Sequence, residues 1–224
     1  AIPKAIKSIK DNWMIIFTGI VYSIISMLVA TVTATIFRGP LYIISGFINY
    51  FIQATIISNY LYLLMNVINY NKFSLDDFKA GFSYYLWKVY GVLLIFYIAN
   101  LMLSLAGNIF GAAAYILNLL IYIGALVVFN PLPETIYLKS YSPADTVMYC
   151  LEFIKENWLN WYLPNILLMI LLYLLSGQIL TGFINTSAGF IYSLNIADIV
   201  RYLVAQLIFS FMMIYRGHLY KILS

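Results

Sequence analysis

The stretch SPADTVMYCLEFIKENW, Ser142–Trp158, decides the organisation that this sequence predicts. Apolar residues recur in it at intervals of three and four, which is typical of an amphipathic helix. A long apolar segment follows its final tryptophan. Its last five residues, IKENW at Ile154–Trp158, return near the start of the chain as IKDNW at Ile9–Trp13. The recurrence indicates an internal repeat in which a charged helix leads into an apolar one.

The composition indicates a protein that is embedded in a lipid bilayer. Of the 224 residues, 64% are hydrophobic and 9% are charged, whereas about a quarter of a soluble domain is charged. A single cysteine, Cys150, and a single histidine, His218, exclude an intrachain disulfide and a histidine cluster. We therefore expect no cofactor and no metal. The sequence has no basic run, so we expect no nucleic-acid partner.

Apolar runs of about 20 residues are long enough to cross about 30 Å of hydrocarbon as helices. The runs are continuous rather than alternating, which favours helices over a barrel. The predicted fold is an all-α integral membrane protein with six transmembrane helices. They are expected at 14–36, 41–66, 89–107, 112–131, 159–182 and 197–215.

The distribution of positive charge predicts the orientation. Only Arg38 and Arg201 fall on one side of the expected spans, and the other ten of the 12 lysines and arginines fall on the opposite side. Cytoplasmic loops carry such an excess. We therefore expect a multi-pass protein of a prokaryotic cell membrane with both termini in the cytoplasm. The ten residues are Lys4, Lys7, Lys10, Lys72, Lys79, Lys88, Lys139, Lys155, Arg216 and Lys221.

Three parallel hairpin repeats are predicted within one membrane domain, 1–224. The units are expected at about 1–66, 74–131 and 142–215, each with a cytoplasmic amphipathic helix before two spans. The motif S-x-x-D, in which the serine caps a helix, occurs at Ser74 and at Ser142. Tryptophans at the starts of spans are typical interfacial anchors. They are Trp13, Trp87 and Trp158.

Glu134 is the first candidate site residue, because it follows a proline-rich end of the fourth expected span. A helix end broken by proline can face a cavity, where a carboxylate could bind a cation or a proton. The simpler alternative is an interfacial glutamate that pairs with Lys139.

A second candidate lies on the opposite side of the membrane. Asp198 and Arg201 are three residues apart on one expected helix face, and Arg38 is the only other charge on that side. The three residues could recognise a polar or anionic ligand, or form a salt bridge between hairpins.

Four amides are expected near the middle of their spans. Amides in lipid usually bond to a neighbouring helix, but they could also line a polar path for a solute. They are Gln53, Asn100, Asn118 and Gln206.

No nucleophile, metal-binding or phosphate-binding motif of the known enzyme classes is present in the sequence. We therefore expect a non-catalytic membrane protein. The first hypothesis is a membrane subunit of a transport, envelope-stress or immunity system that binds a protein partner through its cytoplasmic helices. The alternative is a stand-alone transporter of small solutes or lipids with a polar path between hairpins.

Three short motifs resemble a broad group of prokaryotic six-span membrane proteins. They are AIKSIKDNW at Ala5–Trp13, SLDDFKAGF at Ser74–Phe82, and Pro133-Glu134 leading into Ser142–Trp158. The group includes the membrane domain fused to some glycerophosphodiester phosphodiesterases. The resemblance implies the six-span architecture and no activity.

Overall fold

The computed structural model describes residues 1–110, 113–177, 180, 182–189 and 195–224, except the side chains at 40, 42, 43, 106–110, 113 and 114. Throughout these residues the regular structure is helical, which confirms the all-α prediction. The helices are α1 Ile2–Asp11, α2 Ile15–Ile36, α3 Tyr42–Tyr70, α4 Leu75–Tyr84, α5 Leu86–Phe110, α6 Ala113–Val128, α7 Leu132–Leu138, α8 Pro143–Ser176 and α9 Ile196–Leu223.

Five of the described helices, α2, α3, α5, α8 and α9, are long and apolar enough to cross a membrane. The fourth expected span, 112–131, adds a sixth such helix only if α6 and α7 are counted together. These two helices meet at a bend of 41°, where Pro131 and Pro133 interrupt the backbone hydrogen bonds. The turn that the sequence suggests at 107–111, between the third and fourth expected spans, is not present at 107–110, which belong to α5, and residue 111 lies outside the described residues.

The amphipathic stretch Ser142–Trp158 is not a separate interfacial helix, contrary to the prediction. It runs into the next span as α8, a single helix of 34 residues. The matching stretch in α1 does end, because the Asn12 side chain donates to the carbonyl oxygens of Ser8 and Asn71, at 2.9 and 3.0 Å. Asn157 donates only within its own helix, to Phe153. The contact with Asn71 therefore explains why one copy breaks and the other continues.

The predicted cap at Ser74 begins α4, and hydrogen bonds to α3 fix that helix in place. Ser74 accepts from the Asp77 amide, and the Asp77 carboxylate accepts from the Ser74 amide at 2.7 Å. Asn59 of α3 donates to the Phe78 carbonyl and accepts from the Tyr22 hydroxyl of α2. Helix α4 is thereby attached to α2 and α3, two long apolar helices.

We expect Ser74→Ala to destabilise the first turn of α4 by about 0.5–2 kcal/mol, because the Asp77 amide loses its partner. Hydrogen exchange of the peptide covering 75–84 should become faster in that variant. Ser83→Ala is the control, since the Ser83 hydroxyl bonds only to Ala80 within the same helix. Equal exchange in both variants would show that the cap contributes nothing.

Both chain ends meet at one end of the bundle, here called the lysine-rich end. Ser8 of α1 contacts His218 of α9 at 3.3 Å and donates to Asn71 after α3. Lys221 donates to Asn69 at 3.1 Å. The three tryptophans expected as interfacial anchors are exposed, two near helix starts and one within α8; the anchoring role stays a prediction. They are Trp13, Trp87 and Trp158.

Residues 182–189, in the connection between α8 and α9, pack against the bundle and are called the inner segment. The amide of Ala188 donates to the Gln206 side chain at 2.9 Å. Gln206 lies ten residues into α9, about 15 Å along the helix. Phe183 stacks on Phe96 of α5 at 4.5 Å. The segment carries no charge, and Ala188 within it is buried.

Candidate functional site

A buried ion pair joins α7 to α9. The guanidinium of Arg216 donates through Nε and Nη2 to the two carboxylate oxygens of Glu134, each at 2.9 Å. The side chains are 7% and 0% exposed. Such a two-pronged contact is the strongest geometry for an arginine and a carboxylate. The bend before α7 directs Glu134 into the bundle rather than to the interface.

Asn130 and Trp161 complete the surroundings of Arg216. The Asn130 carbonyl accepts from Nη2 of Arg216, and the Asn130 side-chain oxygen accepts from the Trp161 indole at 2.9 Å. The Trp161 ring lies 5.1 Å from the guanidinium carbon, within the range of a cation–π contact. These contacts hold the arginine head in one orientation.

A glycine lets α9 approach α3 and α7 closely enough for the ion pair. A Cβ atom at Gly217 would lie 2.0 Å from Ile68 Cδ1 and 2.6 Å from the Tyr137 hydroxyl oxygen. A side chain there would force Ile68 and Tyr137, or α9 itself, to shift. Gly217 directly follows Arg216, so the close approach helps to set the distance between Arg216 and Glu134.

The pairing of Glu134 with Lys139, expected from the sequence, is wrong. The ammonium of Lys139 lies 5.4 Å from the centre of the Tyr149 ring. Its carbonyl accepts from Lys88 at 2.7 Å, and Lys88 also donates to the Ile136 carbonyl. Lys139 thus marks the end of α7, while Glu134 turns towards α9.

A cavity of about 220 Å³ lies beside the ion pair, between α6, α8, α9 and the inner segment. Of the pair, only Arg216 lines it. The walls are mostly apolar. Ile123 and Val127 of α6 line the cavity and are 49% and 45% exposed, so the α6 wall of the cavity also faces the outside of the bundle. Further lining residues are Leu126, Asn130, Met169, Leu180, Phe183 and Met213.

The four amides predicted for a polar path make separate contacts. Gln53 donates to Ser26 of α2 at 2.9 Å, and Gln206 accepts from the inner segment. Asn100 is exposed on the outside of α5 and Asn118 is half-buried. None of the four lines the described cavity. Gln53 and Gln206 therefore act as contacts between elements, which was the other interpretation of these residues.

The outer cluster predicted from charge stays a prediction. Asp198 lies in the first turn of α9, where a carboxylate complements the helix dipole, and Arg201 follows it by one turn. Arg38 is exposed between α2 and α3.

The site can hold a polar head group and an apolar body together. Its main residues besides Glu134 are Arg216 and Trp161. From the sequence, Arg216 was counted only as a positive charge, and Trp161 was not singled out. Both adjoin long apolar runs, the one signal that could have drawn attention to them. Within the described residues there is no group of three or more metal-ligating side chains.

Comparison with known protein families, curated proteins and solved structures gives no match at any of the three levels. The function must therefore be argued from the site itself.

Proposed function

We propose that the protein is a membrane transport protein that moves an amphipathic molecule along the cavity between α6, α8 and α9. The observation that carries this proposal is the inner segment beside that cavity. Non-helical backbone at membrane depth is tolerated only where it is buried in protein or lines a cavity. The inner segment lines a cavity, which supports a binding site or pathway there.

The polar groups of the inner segment are satisfied in a way that fits this role. Ala188 bonds to Gln206, and Asn185 donates to the Gly182 carbonyl at 2.8 Å. Gly182, Phe183 and Asn185 all line the cavity. One wall of the cavity is thus a non-helical segment.

The other hypothesis, a subunit that docks a protein partner through its short helices, has less support. Helix α4 is bonded to α3 through Ser58, which donates to the Gly81 carbonyl, and through Asn59. Helix α1 is bonded to the α3–α4 connection. Their polar contacts serve the bundle itself, as expected for interfacial anchors. On its charge, we assign the lysine-rich end to the cytoplasm.

A flux measurement tests the transport proposal. We expect the protein, in phosphatidylcholine liposomes, to accelerate movement of NBD-labelled lysophosphatidylglycerol between leaflets, followed by dithionite quenching. Leu126→Trp places a large ring in the cavity and should slow this movement about tenfold or more, a barrier increase of about 1.4 kcal/mol.

Leu120→Trp is the matched control. Leu120 lies on the same helix but is 62% exposed on its outer side, so the movement should stay at the native rate. The transport proposal fails if the native protein gives no acceleration over empty liposomes. It also fails if both tryptophan variants behave alike.

A further inference from the structure

We infer that the cavity binds a single-chain amphiphile with an anionic head, a carboxylate or a phosphate monoester, and that Arg216 and Asn130 hold the head. This inference rests on the proposed function and adds to it the chemistry of the ligand. Its basis is the set of hydrogen-bond donors that the ion pair leaves unused.

Arg216 has donors to spare. Its guanidinium carries five N–H groups, and its bonds to Glu134 and Asn130 all run through Nε and Nη2. Within the described residues Nη1 makes no hydrogen bond. Arg216 lines the cavity and Glu134 does not, so the arginine is the member of the ion pair within reach of a molecule bound there.

Asn130 adds a second donor at the same place. The indole of Trp161 can only donate, so its bond to Asn130 identifies the atom that accepts as the side-chain oxygen Oδ1. The side-chain nitrogen Nδ2 is then left without a partner among the described residues. Asn130 also lines the cavity, and its carbonyl is bonded to Arg216. The unused groups of these two neighbours are therefore donors, which fits a group that only accepts.

The remaining walls suit an alkyl chain. Leu126, Met169, Leu180 and Met213 surround the space with aliphatic side chains and thioethers. Ligand pockets for drug-sized molecules usually have volumes of about 300–1,000 Å³, and this cavity is smaller. It suits the head and first part of a chain, whose remainder would pass between α6 and α8 into the bilayer.

The experiment measures binding of radiolabelled dodecanoate to the protein in phosphatidylcholine nanodiscs, with empty nanodiscs as background. Dodecyl phosphate should compete, and dodecanol, acetate and inorganic phosphate should not compete at the same concentration. These arms distinguish an anionic amphiphile from a purely apolar ligand and from a free anion. Competition by dodecanol as strong as that by dodecyl phosphate would overturn the inference.

Asn130→Asp tests the donors directly. It keeps the oxygen that accepts from Trp161 but replaces Nδ2 with a second acceptor of negative charge. We expect dodecanoate affinity to fall about 10- to 100-fold, as for the loss of a hydrogen bond to a charged group. Asn157→Asp is the control, because Asn157 lies on α8 outside the cavity and bonds only to Phe153.

A second variant tests the inference even if Asn130→Asp does not fold. Leu126→Trp leaves every donor in place and fills the cavity, so dodecanoate binding should be lost with the ion pair intact. Unchanged affinity in both Asn130→Asp and Leu126→Trp would place the ligand elsewhere. Specific dodecanoate binding without lipid movement between leaflets would contradict the transport proposal alone. Lipid movement without preference for an acidic head group would contradict this inference alone.

Discussion

Arg216→Met should lower the free energy of unfolding by about 3–5 kcal/mol, the usual cost of leaving one member of a buried ion pair alone. Glu134 is fully buried, and Arg216 supplies both of its hydrogen bonds. Without the guanidinium the carboxylate stays in an apolar setting with no compensating charge. Titration with sodium dodecyl sulfate in mixed micelles, followed by circular dichroism, measures this loss.

The double variant Glu134→Met/Arg216→Met separates a lost charge partner from lost packing. Replacing both members of a buried pair with apolar residues is often neutral or stabilising, so the double variant should recover most of the loss. Lys221→Met, one turn further along α9, removes only an exposed contact with Asn69 and should change stability by about 0.5 kcal/mol or less. A double variant as unstable as the single one would contradict this account.

The helices could be predicted because hydropathy reports local composition. Continuous apolar runs predicted where α2, α3, α5, α8 and α9 lie, and S-x-x-D predicted the cap of α4. The end of α1 was harder to predict from the sequence. Asp11-Asn12-Trp13 and Glu156-Asn157-Trp158 are nearly the same, yet only Asn12 has Asn71 beside it. The difference comes from a partner 59 residues away, which a local pattern does not contain.

The candidate site was found only in part for the same reason. Glu134 was singled out from the prolines before it, but its partner is 82 residues further along the chain. Lys139 was the nearer positive charge in sequence. The bend of 41° between α6 and α7 decides between the two, because it turns the first residues of α7 into the bundle. The contact of the inner segment with Gln206 could not be predicted, since nothing in an uncharged loop indicates which side chain binds it.

Gly19→Ala should destabilise the protein by about 1–3 kcal/mol, the usual cost of overfilling a packed interior. A Cβ atom at Gly19 would lie 2.2 Å from the side-chain nitrogen of Gln206 and 2.9 Å from the Thr186 carbonyl oxygen. Because Thr186 is contacted through its backbone, a side-chain rotation cannot relieve the overlap. The inner segment must then move, and its bond between Ala188 and Gln206 should weaken.

Thiol labelling follows that movement directly. The single natural cysteine, Cys150, is buried, so a Ser187→Cys reporter can be read without removing it. Maleimide should label the reporter faster when Gly19→Ala is also present. Gly124→Ala, on an open face of α6 with no atom within 4 Å, should instead stabilise its helix by about 0.5–1 kcal/mol. If Gly19→Ala lowers stability and Gly124→Ala raises it, the inner segment packs against α2. Equal effects of the two substitutions on stability would place that segment outside the bundle.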